Sequence, residues 1–145
     1  MKQESNPPRK LSDSARNALL EALEDERAAE SLYAAVIERH GPVRPFVNII
    51  ESERRHQKRL LSLFEQFDVP VPPKAAGRSI ELADSLEEEC RRAVSAEREN
   101  VRMYDRFLAD IEEPDILDAF RDLRRASSEN HLQAFERCVG RYQER

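Results

Sequence analysis

The sequence predicts an all-α protein, an antiparallel four-helix bundle with one long crossover between its second and third helices. Three observations predict it. The 145 residues include only three Gly and no Trp, with 37% charged against 39% hydrophobic. That mixture, rich in Leu, Ala, Glu and Arg, favours amphipathic helices over strands. Apolar residues recur at the helical period in four long stretches. A short, a long and a short break separate those stretches, at Gly41-Pro42, at residues 68–78 and at Glu112-Glu113-Pro114. The length suits one domain with one substantial core.

Residues 1–11 are polar and carry Pro7-Pro8, which reads as a flexible tail before a single domain over 12–145. Ser12 or Asp13 can cap the first helix, which runs to about His40 and stops at Gly41-Pro42. Its apolar stripe is Leu19, Leu23, Tyr33 and Ile37, interrupted by Glu26. His40, at the helix end, is expected to cap it. Pro45 opens the second helix, where its missing N–H is harmless. That helix reaches about Phe67 with Phe46, Ile49, Ile50, Leu60 and Phe64 on one face, and Glu53 and His56 share the face.

Residues 68–78 hold three prolines and cannot be helical. Eleven extended residues reach about 36 Å, and a 23-residue helix is about 35 Å long. The linker can therefore return the chain along the bundle, although a slack linker also permits an up-down-up-down order. Ser79 is the expected cap of the third helix, which continues to about Ile111. Its stripe is Leu82, Leu86, Cys90, Ala93, Tyr104, Leu108 and Ile111, interrupted by Glu97. Pro114 suits the first turn of the fourth helix, which runs from about Asp115 to Tyr142. Its inward residues are Ile116, Phe120, Ser127, His131, Phe135, Cys138 and Tyr142.

The net charge of −5, with Arg interleaved among Glu, leaves no basic face for nucleic acid. No stretch approaches the roughly 18 apolar residues of a membrane span. No apolar run follows the first positive residues, so no signal peptide is read and a cytoplasmic location is expected. Cys90 and Cys138 form no Cys-x-x-Cys pair.

Each helix thus carries an ionisable intruder in an apolar stripe, and burying such a group unpaired is expensive. In an antiparallel hairpin, residues equidistant from the turn lie at one depth. Glu26 and His56 are symmetric about Gly41, and Glu97 and His131 about Pro114. Glu53-x-x-His56 sets two further donors on neighbouring points of one face. Tyr33 follows Glu26 by seven residues, as Tyr104 follows Glu97. A metal ion is the partner that would suit such a set. A weak internal two-fold of this kind is what a dinuclear site in a helical bundle would have.

Glu26 with Tyr33, Glu53-x-x-His56, Glu97 with Tyr104, and His131 resemble the ferritin-like superfamily, especially its rubrerythrin-type di-iron bundles. The runs Phe46-Val47-Asn48-Ile49-Ile50-Glu51-Ser52-Glu53-Arg54-Arg55-His56 and Ser128-Glu129-Asn130-His131-Leu132-Gln133-Ala134-Phe135 are similar to an uncharacterised prokaryotic group within it, a domain of unknown function. The resemblance covers about residues 12–142. It implies a bound metal pair, iron foremost, with Glu26, Glu53, His56, Glu97 and His131 as ligands and Glu53 as the bridge. It also implies iron oxidation or peroxide or dioxygen handling, as a ferroxidase or peroxidase. Tyr33 and Tyr104 are then candidate catalytic residues whose hydroxyls orient ligand carboxylates. Without Cys-x-x-Cys pairs, turnover needs an external electron donor. Bundles of this kind commonly pair, so a homodimer is the expected assembly.

One departure stands out. Where the superfamily has a second Glu-x-x-His on its last helix, this chain has Ser128. The second metal position therefore lacks a bridging carboxylate, and the half containing Glu53 and His56 is expected to fill first. Carboxylates and imidazoles also suit manganese or zinc. Two other readings compete: a non-catalytic storage or sensing module with one well-occupied metal, and a metal-free helical interaction domain. Cys90 and Cys138 are symmetric about Pro114, each seven residues from a candidate ligand. They are expected to face each other in the core as reduced thiols.

Overall fold

The computed structural model describes residues 11–75 and 80–143, and these are all-helical, with no strand among them. Four helices form, the last of them in three consecutive pieces. The first, α1 (Asp13–His40), begins where the Ser12 hydroxyl accepts from the Ala15 N–H at 3.2 Å. Glu113 accepts from the Ser12 N–H and hydroxyl at 3.1 and 2.9 Å, tying the start of α1 to the turn before the fourth helix. Leu11, expected in the tail, is buried in the core instead. At the other end the Gly41 N–H closes α1 on the Ile37 carbonyl at 2.7 Å. Gly41 has φ +84°, a conformation that favours a residue without Cβ. Closure rests on that backbone bond. His40 stands in the last turn as expected, and its buried Nε2 has no hydrogen-bond partner.

The second helix, α2 (Phe46–Gln66), follows Pro45 as expected. The third, α3 (Leu86–Asp110), starts later than expected, and its cap is Ser85, which accepts from the Glu88 N–H at 3.2 Å. Ser79 lies outside the described residues. The physical reason for the late start is that side chains occupy the backbone just before it. Glu89 accepts from the Ala83 N–H at 2.7 Å, Arg39 donates to the Ala83 carbonyl at 3.3 Å, and Arg92 donates to the Glu81 carbonyl. The described parts of the connection, residues 67–75 and 80–85, are therefore non-helical. Earlier in it, Arg27 from the middle of α1 donates to the Pro72 carbonyl at 2.8 Å.

The last helix consists of α4 (Pro114–Arg125), a π-helical turn (Ala126–His131) and α5 (Leu132–Gln143). Pro114 sits in its first turn as the sequence predicts. The π turn was not predicted: there the Leu132 N–H reaches the Ser127 carbonyl, five residues back instead of four.

Two apolar clusters fill the core. One contains Leu19, Leu23, Leu60, Phe64, Phe107, Ile116 and Phe120, and the other Val36, Phe46, Ile50, Ala93 and Phe135. Along the helices, Glu26, Glu53, His56, Glu97 and His131 fall between the positions that feed these two clusters. Across helices, Gln66 meets Asp115 at 2.6 Å, Arg59 meets Asp122 at 2.8 Å, Glu30 meets Arg54 at 2.9 Å and Glu21 meets Arg106 at 2.8 Å.

Candidate metal centre

Glu26, Glu53, His56, Glu97 and His131 all come together, each at most 8% exposed. They form two overlapping groups whose potential ligand atoms lie within 4.8 Å of one another: Glu26, Glu53 and His56, and Glu53, Glu97 and His131. In the first, His56 Nδ1 is 3.5 Å from Glu26 Oε2 and 3.8 Å from Glu53 Oε2. In the second, His131 Nδ1 is 3.3 Å from Glu53 Oε1 and from Glu97 Oε1. Glu53 thus directs one oxygen to each group. The two imidazoles lie nearly parallel, 5.5 Å apart.

These separations test whether the residues fit a metal. Two donors on one ion, each roughly 2.0–2.2 Å from it, sit about 3.0–3.5 Å from each other. His56 Nδ1, His131 Nδ1 and Glu53 Oε2 are buried without a hydrogen-bond partner. Unpaired polar atoms in a core are costly, and these three converge. The donor set fits a cation.

The tyrosines cross between helices. The Tyr33 hydroxyl, on α1, donates to Glu97 on α3 at 3.0 Å, and the Tyr104 hydroxyl, on α3, donates to Glu26 on α1 at 2.7 Å. Seven residues on one helix span about 10.5 Å, too far for a tyrosine to serve its own helix's glutamate. Burial and the neighbouring carboxylates push both phenols well above their ordinary range.

The electrostatics are those of crowded acids. Burial, reinforced by the charge of Glu26, pushes the Glu53 carboxyl well above the carboxylate range. Burial acts on Glu26 in the same direction, but its close contacts with Glu53 and His56 and the hydrogen bond from Tyr104 overcome it and hold Glu26 down at about 2. Of the two, Glu53 is the carboxyl whose protonated form this environment favours. Burial also raises Asp25, beside the site, to about 6 against a hydrogen bond from Asn100.

Sequence reasoning missed part of the polar surroundings. Asn100 donates to Asp25 at 2.5 Å and to Glu26 at 3.4 Å, and accepts from the Ser127 hydroxyl at 2.6 Å. Its position three residues after Glu97, on one helix face, was the available signal. Ser52 contacts both histidines, with its Oγ 2.9 Å from His131 Nε2 and 3.3 Å from His56 Nε2.

The π turn alters the reading of the last helix. In an α-helix the residue three before His131 would share its face. With a wider turn, the residue four before it does. Ser127 is accordingly buried, whereas Ser128 is half-buried with its hydroxyl 3.5 Å from the Arg125 carbonyl. Ser127, not Ser128, stands on the inner face.

Cys90 and Cys138 face each other as expected, but they are joined in a disulfide, with Cα atoms 6.0 Å apart. The expectation of reduced thiols does not hold. The matched spacing brings the two backbones within the range that a disulfide bridges.

An all-helical protein carrying two groups of buried Glu and His that could hold a metal ion is the class these observations define. The chain belongs to the family described as "Uncharacterized protein domain (DUF2202)", whose model matches residues 15–144. It is similar to the uncharacterized protein MJ0754 of Methanocaldococcus jannaschii, with 27% identity covering 95% of this chain and 82% of that one. The crystal structure of hypothetical protein MJ0754 shares the fold, with a TM-score of 0.84 at 21% identity, covering 97% of this chain and 87% of the other. No helix among the described residues is long and apolar enough to cross a membrane.

Proposed function

We propose that this is a ferritin-like di-metal carboxylate protein that oxidises iron or handles peroxide or dioxygen. Its fold is read as an antiparallel four-helix bundle with a crossover after α2. The pairs Gln66–Asp115, Arg59–Asp122 and Glu21–Arg106 support that order. So do the contacts of the 67–85 connection with Arg27 and then Arg39 along α1. The observation that carries the functional reading is the convergence of unpartnered His56 Nδ1, His131 Nδ1 and Glu53 Oε2.

Glu26 and His56 would hold one metal, Glu97 and His131 the other, and Glu53 would bridge them. Iron bound there would supply electrons to the oxidant, and the ligand set also admits manganese or zinc. The chain's own residues prepare the site. Tyr33 and Tyr104 fix the rotamers of Glu97 and Glu26. Glu53 gives up its proton as a cation arrives, because ligands must be deprotonated. The apolar clusters on either side limit water, which strengthens each electrostatic contact.

A non-catalytic binding module is the second reading. It is favoured by Ser127 and Asn100, which bond to each other on the face of the site served by the last helix, where no second bridging carboxylate stands. Anaerobic loading with Fe(II), followed by dioxygen or peroxide and an external donor, separates the two. Two irons per chain, oxidised faster than free iron and not in Glu53→Ala, support the enzyme. Binding without accelerated oxidation supports the module. Less than about a tenth of a metal per chain after Fe(II) or Mn(II) loading overturns both.

A further inference from the structure

Ser52 occupies a position that the metal reading leaves without a role. It precedes Glu53 on α2 and lies one helical turn before His56, on the same face. Its hydroxyl oxygen touches the ring nitrogen of each histidine that faces away from the carboxylates: His131 Nε2 at 2.9 Å and His56 Nε2 at 3.3 Å. The other nitrogen of each ring, Nδ1, is directed at Glu26, Glu53 or Glu97 and has no hydrogen-bond partner.

A neutral imidazole that offers its Nδ1 lone pair must carry its proton on Nε2. Two such rings present two N–H donors. A serine hydroxyl has two acceptor lone pairs on one oxygen. The stoichiometry closes: both Nε2–H groups can donate to Ser52 at once, without the serine's own proton. The nearly parallel stacking of the rings at 5.5 Å lets one atom reach both. His56 comes from α2 and His131 from the π turn, so the shared oxygen joins donors that are far apart in sequence.

We propose that Ser52 is a positioning residue shared by the two half-sites. Its hydroxyl fixes both histidines in the Nε2–H tautomer and so turns both Nδ1 lone pairs toward the carboxylates. This rests on the metal reading given above. Removing the hydroxyl weakens both half-sites together, whereas a histidine held by its own partner would be affected alone.

The test compares the full chain with Ser52→Ala and Ser52→Thr, using Zn(II) as the probe. Zn(II) is titrated against a chelating competitor, and histidine tautomers are read by long-range ¹⁵N–¹H NMR. In the wild type, both imidazoles are expected to be Nε2–H. In Ser52→Ala, both binding steps weaken about 10–100-fold, the usual effect of losing a group that orients a metal-ligating histidine. Ser52→Thr keeps the hydroxyl and stays close to the wild type. An Nδ1–H tautomer for either histidine in the wild type overturns the inference whatever the variants do. So does a Ser52→Ala protein with unchanged affinity, or one weakened at a single step. If the wild type takes up no Zn(II), Fe(II) or Mn(II), the metal reading itself falls, and this inference with it. If the wild type binds and the alanine variant matches it, only the role of Ser52 falls.

Discussion

Glu53 is the residue whose replacement separates a shared bridge from an ordinary buried acid. It contributes an oxygen to each group, Oε1 toward His131 and Oε2 toward His56. Glu53→Gln keeps the size and removes the charge. In the metal-free fold burial and Glu26 raise the Glu53 carboxyl, so glutamine keeps the neutral form that this shift favours. The metal-free variant should therefore unfold at the wild-type temperature or somewhat above it. The metal-loaded forms should differ sharply. A ligand present at 100 times its Kd stabilises a fold by about 2.7 kcal/mol. For a chain of this length, 1 kcal/mol moves Tm by roughly 3–4 °C. Wild-type protein in such an excess of Mn(II) or Zn(II) should gain about 8–11 °C in differential scanning calorimetry. Glu53→Gln should gain close to nothing and bind no metal tightly. Glu26→Gln and Glu97→Gln each leave one group intact, so each should keep one metal and part of the shift. Two tightly held metals in Glu53→Gln, or the same loss in all three variants, would refute the bridging geometry.

Four further outcomes follow. Reducing the Cys90–Cys138 disulfide releases a closed loop of 48 residues, and the chain-entropy model gives about 4 kcal/mol for that loop. Urea unfolding with and without a phosphine reductant checks it, and a difference below about 1 kcal/mol would contradict it. Tyr33→Phe and Tyr104→Phe each remove a hydrogen bond to a carboxylate, worth about 1.5–3 kcal/mol. Both should lower the urea midpoint while leaving the helical circular dichroism signal intact. Desolvation raises Glu113, but the hydrogen bonds it accepts, those from Ser12 foremost, together outweigh that effect and hold the carboxyl below its ordinary value. A depressed folded pKa stabilises above the unfolded value and is lost as the pH falls through the folded one. Stability of Glu113→Gln should therefore differ from wild type at pH 7 and converge with it in acid. Finally, because Glu53 exchanges a proton for a cation, calorimetric titration in buffers of different ionisation enthalpy should register proton release on metal binding, and affinity should fall as the pH is lowered.

How far the sequence alone reaches is clearest residue by residue. Glu26, Glu53, His56, Glu97 and His131 were legible because charge in an apolar stripe is rare and because the turns at Gly41 and Pro114 set their depths. The same symmetry brought Cys90 and Cys138 together, but spacing carries no information about oxidation, and the disulfide was not anticipated. The direction of the tyrosines was hidden too: spacing ties Tyr33 to Glu26 along one helix, whereas its hydroxyl crosses to Glu97. Ser85 replaced Ser79 as the cap of α3 because Arg39, Arg92 and Glu89 engage the backbone of residues 81–83, and such long-range competition leaves no local signal. Ser127 was legible as inward, but the motif position three before His131 points to Ser128, because such a motif presumes 3.6 residues per turn. No local pattern near Ala126 announces a wider one.

That wider turn also constrains how such a chain can change over generations. Without its surplus residue the last helix would revert to uniform pitch. Either the part before it or the part after it would then rotate by about 100°. The earlier part seats Ile116, Phe120 and Leu123 in one cluster, and the later part carries His131, Phe135 and Cys138. No single rotation preserves both. A one-residue deletion between 126 and 131 would therefore displace the candidate ligand His131 and uncouple the covalent link to Cys90 in one event, though neither residue is itself altered. The placement of His131 and that of Cys138 both depend on this one wider turn.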